Sequence, residues 1–535
     1  MRPALPPRPI EIWLLIALWI AARVYPLLNT VPWREWEIWE AHKLLDYGFF
    51  ARGGAAIQVP FMTGHLPFPQ DLNYVNHPYG ILWLDTLLFS VFGSAGVITM
   101  ILSARLGSTL LAWHIFRHYV SPSAAWSAAA LLALLPAGLA LDVDSNCIAF
   151  AAVMWPVVTL LAHRGLSNSL PQKWRLWLLA LAVFASVQTN WFSLTWIPSL
   201  LLMTRRDGDP WRGEIKRLWT DPACRAISSG AGAALALFAT QVIIYTPNLG
   251  AVAHYIGTQA GFHTSEITRT RMTTTVLLRT LLFVGPALVV AGICGVRASQ
   301  RNQSADRTLA LAFGLYSIAF VAAGLVLTQF FFIERSPYIY LGFPAAYFAA
   351  NSIESTTSRA YHWFLGVLAL LTTGYISLTF SIPAVTNTSI VIGNFIAAHT
   401  SPSDLVLSNL RPQTSPFASW DTGSTGSTAM VADRLAFFDI ETPAQISDKA
   451  SYLGRNFSSA VFVRDMHRPL PSDMLTALRA AGKPLASATF VFPAEPVTIA
   501  HRLRESIWKF SGRFQSRAPL SSVPMEAELE IYRLK

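Results

Sequence analysis

Four acids crowd one short stretch of an otherwise charge-poor chain: Glu35, Glu37, Glu40 and Asp46 lie among aromatic residues in "NTVPWREWEIWEAHKLLDYGFF" (29–50). Pro32 and the aromatics predict a short helix from about Trp33 to Tyr47, with Trp33, Trp36 and Trp39 at headgroup level. Carboxylates there can take up a proton or hold a cation. They also suit a plain structural role: Glu35 sits in the first turn, where a carboxylate favours the helix N-terminus, and Glu40 is three residues from Lys43, within ion-pair reach. A second acidic site is "LDVDSN" (141–146), with Asp142 and Asp144; Asp144 or Ser145 equally suits the N-cap of the next helix. Cationic groups gather elsewhere. Arg269 and Arg271 lie in "HYIGTQAGFHTSEITRTRMTT" (254–274), and Arg279 lies one to two turns into the apolar run that follows. "IERSPYIYLGFP" (333–344) adds Arg335, Tyr338 and Tyr340. Guanidinium forks match phosphate geometry; a basic patch near headgroups and an aromatic belt are the competing readings. A charge inside hydrocarbon is costly, so Arg279 must be paired or functional.

The elements that position these residues are spanning helices. The chain has 535 residues, 53% hydrophobic and only 13% charged; a soluble domain carries about a quarter charged residues. A spanning helix needs roughly 17–25 mostly apolar residues. Candidates are 11–28, 97–116, 123–141, 147–162, two short spans in 175–203 broken near Gln188-Thr189-Asn190, 226–245, 275–296, 308–332, 337–350 and 361–382, eleven in all. The segment 78–92 is apolar but short, begins with Pro78, and is read as non-crossing. With the N-terminus in the cytoplasm, the basic loops 163–175, 205–225 and 297–307 fall inside, as the positive-inside rule requires. That distribution accounts for the net charge of +10 without a nucleic-acid partner. The loops 29–96, 142–146, 246–274 and 333–336 fall outside, as does everything after about 383. Three scattered cysteines, Cys147, Cys224 and Cys294, form no CxxC pair and indicate neither a zinc knuckle nor a disulfide framework.

After residue 383 the composition changes. "DLVLSN" (404–409), "AVFVRD" (460–465) and "SATFVF" (487–492) read as strands, and "SDMLTALRAAGK" (472–483) as a helix ending near Gly482. The predicted organisation is therefore a transmembrane domain over 1–383 and a small extracytoplasmic α/β domain over 384–535.

The order of segments resembles the membrane-embedded glycosyltransferases of the GT-C fold, in the branch of the protein mannosyltransferases and aminoarabinose transferases. The residues that carry the likeness are Glu35 or Glu37 on the first outer loop, His77-Pro78-Tyr79 with Trp83, Phe92-Gly93, and Arg105 in the next span. "REWE" stands where the family has an Asp-Glu pair, and "HPYG" where it has "HPPL". The resemblance implies a polytopic α-helical membrane enzyme that takes a sugar from a polyprenyl-phosphate donor; the short basic loops point to a bacterial inner membrane, with an archaeal cell as the alternative. The acceptor would be a hydroxyl of a lipid, glycan or protein. No nucleotide is implied, in keeping with a chain that lacks a Rossmann or P-loop fingerprint. Glu35 or Glu37 would act as general base with Asp144 in support. Arg269, Arg271, Arg279, Arg335, Tyr338 and Tyr340 would hold the donor phosphate. Asp144 and His77 could hold a divalent cation, Mg2+ or Mn2+. A transporter or flippase of lipid-linked glycans is the alternative; it calls for mid-span charges and repeated halves, whereas the candidates here cluster at outer edges.

Overall fold

The computed structural model describes residues 9–29, 80–140, 146–161, 171–205, 214–245, 269–301, 307–326, 336–380, 387–410, 431–434, 436–437, 440, 442–444, 459–492 and 525–534. They divide into two compact units, one all-helical and ending at Phe380, the other carrying the strands.

The helical unit begins with α1 (Pro9–Asn29) and α2 (Gly80–Phe116). α3 (Pro122–Ala133) starts sharply because the Ser121 hydroxyl accepts from the Ala124 N–H and Pro122 fills the first turn. Next come α4 (Pro136–Ala140), α5 (Asn146–Leu161), α6 (Gln172–Thr189), a 3₁₀ turn (Trp191–Trp196) and α7 (Ile197–Met203). They are followed by α8 (Glu214–Thr220), α9 (Pro222–Tyr245), α10 (Arg269–Val284), α11 (Pro286–Arg301) and α12 (Arg307–Val326). A second 3₁₀ turn (Ser336–Leu341) leads into α13 (Gly342–Ser355) and α14 (Arg359–Phe380). The closest packing sets α11 along α13, where a Cβ at Gly295 would run into the Phe348 carbonyl. Aromatic rings fill the interior, with Trp196 stacked on Tyr316 at 3.9 Å and Phe313 edge-on to Phe343 at 5.2 Å.

The outer surface is apolar. Ile318, Leu371 and Trp363 are 69%, 67% and 74% exposed, the reverse of a water-facing surface. Among the described residues four helices are long and apolar enough to cross a membrane, or five if one sharply bent pair is a single span. This is a membrane protein, its greasy side chains turned toward lipid.

Several predicted spans are interrupted. The predicted break near 188–190 falls where α6 ends; Asn190 is extended and its side chain accepts from the Phe192 N–H at 2.9 Å. Segments 78–92 and 97–116 join in α2, broken only at Gly93 (φ 64°, ψ −161°). Unbroken, its 37 residues would run roughly 55 Å, far beyond a hydrocarbon core of about 30 Å. The single span predicted over 123–141 is two helices parted before Pro136. The single span predicted over 275–296 is likewise two, α10 and α11, bent by 93° at Gly285. The reason is local: Gly285 takes φ 91°, open to glycine, and Pro286 cannot donate to the preceding turn.

The strand-bearing unit starts with α15 (Asn387–His399), followed by β1 (Asp404–Ser408), β2 (Ala436–Phe437), β3 (Ser459–Asp465), α16 (Ser472–Ala481), β4 (Ala486–Phe492) and β5 (Met525–Leu534). The sheet order is β2-β1-β3-β5-β4, with β1 parallel to β2 and β3, and β5 antiparallel to β3 and β4. Val406 pairs with Val461 and Phe462 with Tyr532. Leu407, Phe462, Leu529 and Ile531 form its core with Ile396 and Met474 of the helices. Arg434 closes the C-terminal end of α15 by donating to the Ala397 and Thr400 carbonyls at 3.2 and 2.7 Å.

Candidate functional site

The helical unit buries several charges, and two helix breaks explain where. The carbonyls that end α3 are only partly served by the chain itself: Leu135 N–H reaches Leu132 at 3.2 Å, and Pro136 has no N–H to offer. Three side chains from three other helices supply donors. Arg105 of α2 donates from Nη2 to the Leu132 carbonyl at 3.3 Å. Arg23 of α1 donates from Nη1 to Ala133 at 3.0 Å and to its own Trp19 carbonyl at 3.1 Å. Thr373 of α14 donates to Leu134 at 3.4 Å. Both guanidiniums are fully buried, and that of Arg23 lies 4.2 Å from the centre of the Trp19 ring. Gly138 of α4 is flush with Arg105, so that a Cβ there would overlap the guanidinium.

The second break rests on the first. A Cβ at Gly285 would stand 3.0 Å from Pro136 Cδ. From that bend α10 runs back across α4 and the second 3₁₀ turn. Arg279 and Phe283, four residues apart, share the face of α10 that meets the turn. Phe283 stacks on Tyr338 with ring centres 5.6 Å apart. Arg279 is buried and close enough for its charge to act on the Tyr338 hydroxyl. A guanidinium beside a phenol, both sequestered, is a donor pair suited to an anionic oxygen.

The structure thus brings together two of the predicted phosphate ligands, Arg279 and Tyr338. Tyr340 lies on a different face of the turn, among Phe192 at 5.6 Å and Phe320 at 6.5 Å. Arg269 and Arg271 are in the first turn of α10, roughly 15 and 12 Å along the helix axis from Arg279. Glu35, Glu37, His77, Asp144 and Arg335 lie outside the described residues. Among the described residues no three His, Cys, Asp or Glu side chains gather as a metal site. Sequence reasoning assigned no role to Arg23 or Arg105 and passed over Asp85, 1% exposed on the first arm of α2. The signal was present in each case: a single charge inside an apolar run.

No family model matches the chain, and no curated protein matches it by sequence. Solved structures do. ArnT from Cupriavidus metallidurans in the apo state superposes with a TM-score of 0.52 at 12% identity, over 98% of this chain and 97% of that one. The same protein bound to undecaprenyl phosphate gives 0.52 at 10% identity over the same shares. The Archaeoglobus fulgidus oligosaccharyltransferase in its apo form gives 0.50 at 12% identity, over 85% of this chain and 69% of that one. The arabinofuranosyltransferase AftD from Mycobacteria gives 0.51 at 14% identity, over 98% of this chain but only 40% of that one. A helical membrane unit shared with these transferases over nearly the whole chain identifies the architecture: this protein has the GT-C fold of membrane glycosyltransferases.

Proposed function

We propose that the chain is an inverting glycosyltransferase that moves a sugar from a polyprenyl-phosphate donor to a hydroxyl of a lipid, glycan or protein at the outer face of the bacterial inner membrane. The observation that carries the reading is the buried Arg279–Tyr338 pair in a GT-C membrane unit. The solved ArnT complex with undecaprenyl phosphate supports the choice of lipid carrier.

The chemistry is one displacement. Glu35 or Glu37 removes the acceptor proton, which contributes on the order of 10²–10⁴-fold. The acceptor oxygen attacks the anomeric carbon, and polyprenyl phosphate departs with the bonding pair. Charge grows on its phosphate in the transition state, where Arg279 and Tyr338 would stabilise it. Arg269, Arg271 and Arg335 are further ligands of the donor phosphate in this scheme, and Asp144 supports the base. A divalent cation held by Asp144 and His77 would neutralise phosphate charge; no step above requires it, and rescue of EDTA-treated enzyme by Mg2+ or Mn2+ tests it. The eleven-span topology and the outer placement of the 384–535 domain belong to the same proposal.

The test replaces Glu35 and Glu37 singly with Gln and Arg279 with Gln, and follows transfer from a labelled polyprenyl-phosphate sugar. One Glu variant should lose about 10²-fold or more, and Arg279→Gln a comparable factor. Full activity in all three would remove the base and the phosphate ligand together. Export of unmodified lipid would point to a flippase instead.

A further inference from the structure

We infer that Arg23 and Arg105 are positioning residues: they hold the α3–α4 break against the α10–α11 bend and so keep Arg279 in place beside Tyr338. The inference rests on the reading of Arg279 as a ligand of the donor phosphate.

Hydrogen bonding alone does not require charge at the break. Thr373 serves Leu134 with a neutral hydroxyl, while burying a guanidinium is costly. What arginine adds is reach and a tip that carries several N–H donors. Through it Arg23 ties the Trp19 carbonyl of α1 to the Ala133 carbonyl of α3. Arg105 fixes Leu132 from α2 while its guanidinium forms the floor under Gly138. Arg105 thus sets the short helix α4 directly, and Arg23 fixes the end of α3 that leads into it. Its first residue, Pro136, abuts Gly285, the hinge that gives α10 its direction. α10 also packs directly on α4. Arg279 lies only six residues before the hinge, so a shift of α4 reaches it through one layer of contact.

A double-mutant cycle separates positioning from general support of the fold. Full-length protein is purified as wild type, Arg105→Met, Arg279→Gln and the double variant. Equilibrium binding of undecaprenyl phosphate is measured for each, with KM and kcat for the labelled sugar donor. Arg105→Met should weaken binding roughly fivefold or more, raising KM more than it lowers kcat, and should cost less than about twofold in the Arg279→Gln background. Arg105→Lys, which keeps a donor, should recover part of the loss. An undiminished penalty in the Arg279→Gln background overturns the inference. If Arg105→Met does not fold, Thr373→Val enters the same cycle with the same criterion. Absence of undecaprenyl phosphate binding by wild type would instead strike the reading of the site itself, and this inference with it.

Discussion

Tyr338 offers the cleanest substitution at the scale of single residues. Its ring is held by Phe283, and its hydroxyl lies within reach of the charge of Arg279. Tyr338→Phe keeps the ring and removes the hydroxyl, so transfer should fall by about 10- to 100-fold with a smaller loss of thermal stability than Phe283→Ala, because a hydrogen bond involving a charged group is worth about 1.5–3 kcal/mol. Phe283→Ala should lower both, since it empties a packed position next to the same group. Thermal unfolding and transfer assays on the two variants distinguish these outcomes. Arg279 was legible in the sequence because a lone cation in an apolar run has few innocent explanations. Tyr340 was not separable from Tyr338, because sequence proximity does not tell which face of a 3₁₀ turn a ring occupies. Arg23 and Arg105 showed the same lone-charge signal as Arg279. The hydrogen bonds described for them go to main-chain carbonyls, which leave no mark in a side-chain pattern.

Among the elements, the breaks matter more than the helices. Gly93 and Gly285 both have positive φ, but among the described residues no neighbour lies near a Cβ at Gly93, whereas one at Gly285 meets Pro136. Gly93→Ala should therefore cost only backbone strain, of order 1–3 kcal/mol. Gly285→Ala should cost that plus a displacement of α4, and should lower transfer as well as melting temperature. Equal losses of stability and activity in the two variants would contradict the coupling drawn between the bends. The dipeptide Gly285-Pro286 carried the bend in plain view. Proline alone is a weaker sign: Pro156 lies inside α5 without ending it. Membrane helices tolerate proline where neighbours satisfy the freed groups, so hydropathy windows run over such positions and merge what the backbone divides.

For the whole molecule, the eleven crossings proposed would put the two termini in different compartments. A reporter active only outside the cytoplasm should work when fused after Lys535 and fail when fused before Met1; activity at both ends or neither would refute an odd count. The strands β1, β3 and β4 were readable from short apolar runs. β5 was passed over although Ala527, Leu529 and Ile531 alternate with Glu526, Glu528 and Glu530. The order of the sheet was not readable, since pairing β3 with β5 joins distant segments and no local pattern specifies it. The seat of Pro136 against Gly285 joins segments still further apart in the membrane unit. Divergent sequences that keep this architecture should then change the two positions in concert, admitting a side chain at the second only where the first has shrunk. Statistical co-variation between those two columns, in an alignment deep enough to resolve it, would be the evolutionary trace of that mechanical bond.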